Sequence, residues 1–392
     1  MKVAPFQPGS EFSLLGLDIG GTKIAGAVVT FAATAPGGAA GAGAGHAGAD
    51  RAAGIPASGG AGVEPAALPA PRISLEASIP TEARRGGARV LADIADFAER
   101  QIAAASAAGT PVRGIAIASA GVVDVESGCI ASATDTMPGW GGQPLGPHLA
   151  ERCGLPVRVL NDVHGHALGE ATYGAGAGAR TALVIAVGTG LGGAAVIDGR
   201  ILFGAHGVAG HFGHIHHPYA AGLVCSCGRD GHVESVASGS GAARLYAKRQ
   251  AEAHVEGASY AAAAAASLTG IADVPESAYV RAPGAQRPVV VRGGRELKAL
   301  VDAGDMFARE VFTDGAFALG QTLGGLANSF DPDVIILSGS LVHVGEFWMD
   351  ALREGYRRDA MVGTAATPIV EGSLGSQAPL IGAAVHFLHT AG

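Results

Sequence analysis

Residues 207–235, GVAGHFGHIHHPYAAGLVCSCGRDGHVES, hold five histidines and two cysteines. Imidazole nitrogens and thiolates are donors that Zn²⁺ prefers, so this segment contains the chemistry of a zinc site. A histidine side chain also hydrogen-bonds to substrate hydroxyls, and a glycine-rich loop can carry such residues without any ligand. The residue types alone therefore leave a metal site, a substrate site and an incidental cluster open.

Three glycine turns follow strand-like apolar runs, at 18–23 (DIGGTK), at 188–193 (GTGLGG) and at Gly339. Glycine lets backbone N–H groups approach an anion closely, and Asp18 at the end of the first strand can organise hydrated Mg²⁺ beside phosphates. A tight hairpin explains any one turn without a ligand, but three in this order favour phosphate binding. The candidate phosphate contacts are Asp18, Gly20, Gly21, Thr22, Lys23, Gly188, Thr189, Gly190 and Gly339.

Asn161 and Asp162 lie where a buried strand, PVRVL, gives way to a helix. This position puts a carboxylate at the carboxyl end of a strand, facing a cleft, near a helix N-terminus that favours its ionised form. An ordinary helix N-cap explains the same pair equally well. From the residues alone, a catalytic base and a cap both remain open.

Strand-like and helix-like segments alternate through both halves of the chain, which predicts an α/β protein with two lobes. A β-hairpin is predicted from SLLGLDIGG and TKIAGAVVTF, and apolar spacing near 3.6 predicts a helix over 89–109. Residues 31–71 have too little bulky apolar content to pack, so we interpret them as a low-complexity insertion. Residues 257–292 are a second biased segment, whose alanine run is compatible with a helix.

The composition excludes several classes of protein. The 392 residues carry a net charge of −8 with only 15% charged residues, which gives no electrostatic footprint for nucleic acid or an anionic membrane. We see no signal peptide, no uninterrupted apolar stretch long enough to cross a membrane, and too few cysteines for a disulfide framework. We therefore expect a cytoplasmic protein with reduced thiols and no nucleic-acid or membrane partner.

A set of ordered motifs resembles the ROK family of sugar kinases and related repressors, from about residue 12 to the end. The motifs are LGLDIGGTKIAGAVV, IAIASAGVVD, MPGW, LNDVHGHALGEATYG, IAVGTGLGGAAVIDGRILFGAHGVAGHFGH, CSCGRDGHVESVASGSG and DPDVIILSGS. The resemblance implies a two-lobed, actin-like ATPase (ribonuclease H-like) fold with ATP and sugar in the cleft between the lobes. Family members are commonly dimers or tetramers, so a homodimer or homotetramer is expected.

The resemblance also implies a division of the chain. The first α/β lobe is expected over 12–129, interrupted by the 31–71 insertion and completed by a final helix at about 377–390. The second α/β lobe is expected over 130–376 and carries the zinc loop, residues 207–235.

By resemblance, Asp162 corresponds to the general base that takes the proton from the sugar 6-hydroxyl during phosphoryl transfer. Asn161 and Glu234 correspond to sugar ligands, and Asp135 is the nearest polar candidate in the segment before Pro-Gly-Trp. The three glycine turns correspond to the binding site of ATP and its Mg²⁺, because phosphoryl transfer needs mainly positioning and charge neutralisation.

The same resemblance identifies the metal ligands as His214, Cys225, Cys227 and His232, in the order H-x₁₀-C-x-C-x₄-H. The family usually has a third cysteine where this chain has His232, and imidazole is an acceptable replacement. Four protein ligands predict a structural zinc ion, which would hold the sugar-binding loop because His214 belongs to both.

That loop usually reads Glu-x-Gly-His in the family, whereas here it reads His211-Phe212-Gly213-His214. The sequence H-x-G-H resembles bacterial N-acetylmannosamine kinases of the family. A neutral histidine cannot hold two hydroxyls as a carboxylate does, which would suit a C2 acetamido group. The alternative, that histidine replaces glutamate without changing specificity, stays open.

The expected reaction is therefore N-acetyl-D-mannosamine + ATP → N-acetyl-D-mannosamine 6-phosphate + ADP, a step of carbohydrate metabolism. A glucokinase or an N-acetylglucosamine kinase is the alternative within the same chemistry. A catalytically silent sugar sensor or repressor is the alternative from another class. Repressors of the family carry a helix-turn-helix domain ahead of the first phosphate motif, and only 17 residues precede Asp18.

Overall fold

The computed structural model describes residues 11–32, 69–134, 136–252 and 291–390. Most of the low-complexity insertion, the alanine run of the second biased segment and Asp135 lie outside the described residues. Within them, two five-stranded sheets and a short hairpin carry the helices.

The first sheet has the strand order β3-β2-β1-β4-β7, in which β1 and β4, and β4 and β7, are parallel. Its strands are β1 Phe12–Ile19, β2 Lys23–Phe31, β3 Arg72–Pro80, β4 Ile115–Ser119 and β7 Val157–Asn161. The hairpin consists of β5 Val122–Asp124 and β6 Cys129–Ser132. The predicted hairpin of β1 and β2 is confirmed, whereas β3, an exposed edge strand, was not predicted.

The second sheet has the order β10-β9-β8-β11-β12, with β8, β11 and β12 parallel. Its strands are β8 Thr181–Val187, β9 Leu191–Ile197, β10 Arg200–Ile201, β11 Val334–Ser338 and β12 Ile369–Glu371. Parallel neighbours place the glycine turns after β8 and β11 at the same edge of this sheet.

The helices are α1 Gly87–Ala107, α2 Leu145–Cys153, α3 Asp162–Tyr173, α4 Glu234–Ala237, α5 (239–252 in its described part), α6 Gly294–Asp302, α7 Met306–Phe330, α8 Glu346–Asp359 and α9 Ala378–Thr390. The helix predicted over 89–109 is α1. Among the described residues, no helix has the length and apolarity needed to cross a membrane.

Both faces of β1 and β4 are buried, and the two-residue period of a strand explains how β1 contributes to two cores. Leu15 and Leu17 face a core that includes α1, whereas Phe12 and Leu14 face a second core with α9. That second core also contains Ala182 and Val184 of β8 together with residues of α3. Helices α3 and α9 therefore lie in a core that both sheets share.

The chain crosses between the sheets through α3, and α9 returns to pack on β1, β2, β4 and β7. The first lobe was expected to end at residue 129, and β7, which follows that position, hydrogen-bonds to β4 of the first sheet. The motif spacing could not show which sheet β7 joins, since pairing is a long-range contact. We propose that the first lobe extends through Asn161 and includes α9.

Candidate active site and metal centre

Asp18 lies at the carboxyl end of β1, beside the first glycine turn. The Gly20 N–H donates to the Lys23 carbonyl oxygen at 3.0 Å, and the Thr81 hydroxyl donates to the Gly20 carbonyl oxygen at 2.6 Å. Burial raises the pKa of Asp18 to about 6, the charge of Asp162 adds to this rise, and Lys23 opposes it. The two predicted carboxylates therefore share one site. The hydrogen bond of Thr81 was not predicted, because this residue lies 61 positions from Gly20 in the chain.

Asp162 is the first residue of α3, and Asn161 is its N-cap. The Asn161 amide oxygen accepts from the N–H groups of Val163 and His164, at 3.0 and 3.2 Å. Its amide nitrogen donates to the Gly121 carbonyl oxygen at 2.8 Å. The capping role considered for this pair therefore belongs to Asn161, whose amide nitrogen also hydrogen-bonds to the Asp162 carboxylate.

The Asp162 carboxylate accepts from the Val163 N–H at 2.9 Å. Burial raises the pKa of this carboxyl group, while hydrogen bonds from Val163 and Asn161 and the nearby His211 oppose the rise. A partly buried carboxylate with a raised pKa, at the start of a helix, has the properties of a general base.

The second and third glycine turns lie together. Gly339 follows β11 with a φ of +98°, and a Cβ at this position would lie 2.4 Å from the Val187 carbonyl oxygen. Only glycine permits this approach, which brings the third turn against the end of β8 and thus against Gly188. The Gly188 N–H donates to the Gly190 carbonyl oxygen at 3.0 Å, which closes the second turn.

Four donor atoms of the zinc loop converge, those of His214, Cys225, Cys227 and His232, and all lie within 4.8 Å of one another. The His214 Nδ1–Cys225 Sγ and Cys227 Sγ–His232 Nδ1 distances are 3.4 and 3.2 Å. A zinc tetrahedron with ordinary bond lengths has an N–S edge of about 3.5 Å. The chemistry and spacing of this quartet fit Zn²⁺.

Backbone pairing shapes the zinc loop. His216 and His232 form an antiparallel bridge, and Val224 and Asp230 form another. Between the latter pair, the Cys225 N–H donates to the Arg229 carbonyl oxygen at 2.8 Å. The two bridges bring the ligands of widely spaced positions into one cluster.

His211 belongs to the loop that precedes the quartet. Its Nδ1 lies 2.9 Å from the Val208 carbonyl oxygen, which can only accept, so Nδ1 carries the hydrogen. In the neutral ring Nε2 is then an acceptor. The ring stacks on His214 with centroids 6.0 Å apart, and a positive charge on this ring would lower the pKa of Asp162.

His164 connects this loop to α3. Its Nε2 lies 3.2 Å from the Ala209 carbonyl oxygen, and its ring is buried. Burial lowers the pKa of His164 to about 4, so the ring is neutral at pH 7. This bond therefore attaches the loop of His211 to α3 at His164, two residues after Asp162. This contact was not predicted, because no feature of the sequence near His164 indicates a partner 45 residues away.

Glu234 is buried and bonded on both oxygens. Oε2 accepts from the Leu191 N–H at 3.0 Å, and Oε1 accepts from the Ser226 hydroxyl at 2.5 Å and the Cys225 thiol at 3.3 Å. Burial opposes its ionisation, but these hydrogen bonds outweigh burial and hold its pKa below the usual value. Glu234 thus joins the zinc loop to the start of β9, and a sugar contact there stays a prediction.

Comparisons with known proteins agree on one family. The family model described as "ROK family" matches residues 88–390. A glucokinase of Halalkalibacterium halodurans is 31% identical over 305 residues, 78% of this chain and 84% of that protein. An N-acetylmannosamine kinase of Citrobacter koseri is 40% identical over 135 residues, 34% of this chain and 45% of that protein.

A solved structure is similar over nearly the whole chain. It is a ROK family glucokinase from Streptomyces griseus in complex with glucose and AMPPNP, with 29% identity and a TM-score of 0.62. The similarity covers 95% of this chain and 98% of that one.

Proposed function

The chain belongs to the ROK family and is a sugar kinase with the predicted two-lobed, actin-like ATPase fold, and we propose that its substrate is N-acetyl-D-mannosamine. The reaction would transfer the γ-phosphoryl group of ATP to the sugar 6-hydroxyl, giving N-acetyl-D-mannosamine 6-phosphate and ADP. The observation that carries the choice of sugar is the hydrogen-bonded state of His211 near Asp162.

His211 offers the substrate a single acceptor. Its Nδ1–H is committed to the Val208 carbonyl oxygen at 2.9 Å, so only Nε2 remains. A C2 acetamido N–H is one donor and needs one acceptor, whereas a glutamate at this position could accept from two sugar hydroxyls at once. The similarity to an N-acetylmannosamine kinase supports this choice, although it covers only a third of the chain.

Asp162 would accept the proton of the 6-hydroxyl. Burial raises the pKa of this carboxyl group, which makes it a stronger base than an exposed aspartate. Asn161 would hold the Asp162 carboxylate through its amide nitrogen and contact a sugar hydroxyl. The turns at 18–23, 188–193 and Gly339 would hold the phosphates of ATP.

Two metal ions fit the residues present. Asp18 and Asp162 are neighbouring carboxylates whose pKa values are both raised, so Mg²⁺ bound with ATP beside Asp18 would neutralise charge that the protein leaves uncompensated. A structural Zn²⁺ on the quartet of His214, Cys225, Cys227 and His232 would stabilise the loop that carries His211.

Glucose is the second candidate, because the glucokinase of Halalkalibacterium halodurans is similar over 78% of this chain. The two candidates share Asp162 and the phosphate turns, and they differ in what His211 contacts at C2. A test therefore has to change His211 and follow the ratio between the two sugars.

The test measures ADP release with Mg·ATP across N-acetylmannosamine, N-acetylglucosamine, glucose, mannose and glucosamine. We expect kcat/KM to be highest for N-acetylmannosamine. His211→Glu is expected to shift the N-acetylmannosamine-to-glucose ratio at least about 10-fold toward glucose, because a site that fits one hydrogen-bonding group rejects its analogue. His206→Glu makes the same change at an exposed histidine and should leave the ratio unchanged.

Preference for glucose in the wild type would overturn the proposed substrate and keep the kinase. An unchanged ratio in His211→Glu would remove His211 from sugar selection. No turnover on any of the five sugars would contradict the proposed reaction and favour a sugar sensor.

A further inference from the structure

The chain crosses between the two sheets at two places in the described residues. The first crossing is α3, which leads from β7 of the first sheet to β8 of the second. The second is the connection from β12 to α9, over 372–377, after which α9 packs on the first sheet. Relative movement of the lobes must bend or turn these two segments.

Glu170 of α3 bonds the first crossing to the second. Its side chain is completely buried, with 0% exposed. Oε1 accepts from the Leu374 N–H at 2.8 Å, and Oε2 accepts from the Ser373 N–H at 3.0 Å and the Ala175 N–H at 3.1 Å. Two of these donors lie in the connection to α9, more than 200 residues away in the chain.

A second bond joins the same helix to the nucleotide side. His166, one turn before Glu170, lies with Nε2 at 2.7 Å from the Ser338 hydroxyl. Ser338 is the last residue of β11 and directly precedes Gly339, the third phosphate turn. Gly372 packs against both bonded side chains. A Cβ atom at this position would lie 2.6 Å from Ser338 Oγ and 2.9 Å from Glu170 Oε1, so any larger residue would displace one of them.

Asp162, His166 and Glu170 recur every four residues along α3, so they follow one side of the helix. We propose that Glu170 is a positioning residue that holds the two crossings together at the point about which the lobes move. Together with the His166–Ser338 bond, it keeps Asp162 in a defined position relative to the Gly339 turn. The proposal rests on the kinase function proposed above and adds how the general base and the phosphates of ATP are held in the correct relative position.

The carboxylate is needed because all three partners at this site are backbone donors. Ionised glutamate offers two acceptor oxygens, each with two lone-pair directions. A glutamine of the same shape would present an NH₂ group to at least one N–H donor and leave it unpaired in a buried site. Glu170→Gln therefore breaks the pivot with almost no change of volume.

The experiment compares the zinc-loaded wild type, Glu170→Gln and Ser373→Ala. AMPPNP binding is measured calorimetrically with and without saturating N-acetylmannosamine, and kcat and KM are measured in parallel. In the wild type the sugar should tighten AMPPNP binding about 10-fold, a typical coupling between two sites. In Glu170→Gln this factor should fall towards one, and kcat should fall roughly 10–100-fold with each KM within about 3-fold, as for a small misplacement of reacting groups.

Ser373→Ala is the matched control, because Ser373 contributes its N–H and not its side chain. It should keep the wild-type coupling and kcat. A merely structural role of Glu170 would lower the melting temperature but leave kcat per folded molecule and the coupling factor unchanged. That result, or wild-type coupling in Glu170→Gln, would overturn the proposal.

Ser338→Ala keeps the proposal testable if Glu170→Gln does not fold. It removes the partner of His166, and the coupling factor and kcat should fall in the same direction, about 3–10-fold, as for the loss of one buried hydrogen bond. Wild-type values in this variant would then overturn the proposal. If the wild type binds another of the five sugars, that sugar replaces N-acetylmannosamine in the binding assay. Because binding is measured without turnover, absence of phosphorylation or preference for another sugar would refute the proposed function alone.

Discussion

Asp18 gives the sharpest test of how this site is built. Its pKa rises from 3.8 to about 6, chiefly through burial and further through the charge of Asp162, while Lys23 opposes the rise. At neutral pH, the protein without nucleotide therefore holds an ionised carboxylate that would be more stable in water. Asp18→Asn removes that charge at nearly constant volume, so we expect the variant to be more stable than the wild type and to lose kinase activity.

The magnitude follows from linkage between protonation and folding. The folded pKa of Asp18 is above the unfolded one, so the folded state binds more protons between about pH 4 and pH 6, and wild-type stability falls as pH rises through this window. With the pKa values 3.8 and about 6, the cost is about 1.5 kcal/mol at pH 5 and about 3 kcal/mol at pH 7.5. The buried amide offsets part of this gain, so about 1–3 kcal/mol is expected at pH 7.5.

The assay is urea unfolding at pH 5 and pH 7.5, without nucleotide or Mg²⁺. The two tryptophans are both buried, Trp140 against the first sheet and Trp348 in the core that α7 and α8 form with the second sheet. A Trp348→Phe background therefore leaves Trp140 to report on the lobe of Asp18. Asp350→Asn is the control, because that carboxylate is 75% exposed on α8 and should change stability little.

The free energy of unfolding of Asp18→Asn should exceed that of the wild type, and the difference should grow by about 1.5 kcal/mol from pH 5 to pH 7.5. A variant that is no more stable at pH 7.5, or a difference that is flat across this range, would refute the reasoning that burial of two neighbouring carboxylates shapes the site.

Three further results are expected. Asp162→Asn should lower kcat roughly 10²–10⁴-fold, as loss of a general base does, and near-native turnover would remove the residue from that role. In the wild type, kcat/KM should fall as pH drops through the pKa of Asp18, which burial raises to about 6, because this carboxylate must be ionised to support Mg²⁺ binding; a flat profile from pH 5 to 8 would contradict this. Cys227→Ser should lose zinc, measured by elemental mass spectrometry, and raise the sugar KM on the order of 10-fold, whereas Cys129→Ser outside the quartet should change neither; retained zinc would exclude Cys227 as a ligand.

Local patterns predicted much of the framework. The β1–β2 hairpin, the helices α1 and α3, and the strand β11 follow from apolar periodicity and from turn residues that are neighbours in the chain. The donor quartet was identified because its spacing resembles a family motif, and the structure brings those four donor atoms within 4.8 Å. These features depend on residues that are close in sequence or on a long ordered motif.

Other features escaped prediction because they depend on contacts between distant segments. The assignment of β7 to the first sheet depends on its pairing with β4, and no property of VRVLN indicates that partner. The bond of His164 to Ala209 joins residues 45 positions apart. The residue types alone leave open whether Asn161 or Asp162 caps α3. In the structure the cap is Asn161, because its amide oxygen accepts from the N–H groups of Val163 and His164.

The residue types can be taken from the amino-acid sequence alone: two carboxylates after strands, three glycine turns, a set of nitrogen and sulfur donors, and a histidine at position 211. The pKa values, the histidine tautomer and the relative positions of these groups emerge only on folding, because they depend on what surrounds each side chain in the folded protein. The raised pKa of Asp18 needs Asp162 beside it, and the acceptor state of His211 needs the Val208 carbonyl. Glu170 gives the clearest case, since its partners at Ser373 and Leu374 meet it only when α9 packs back on the first sheet.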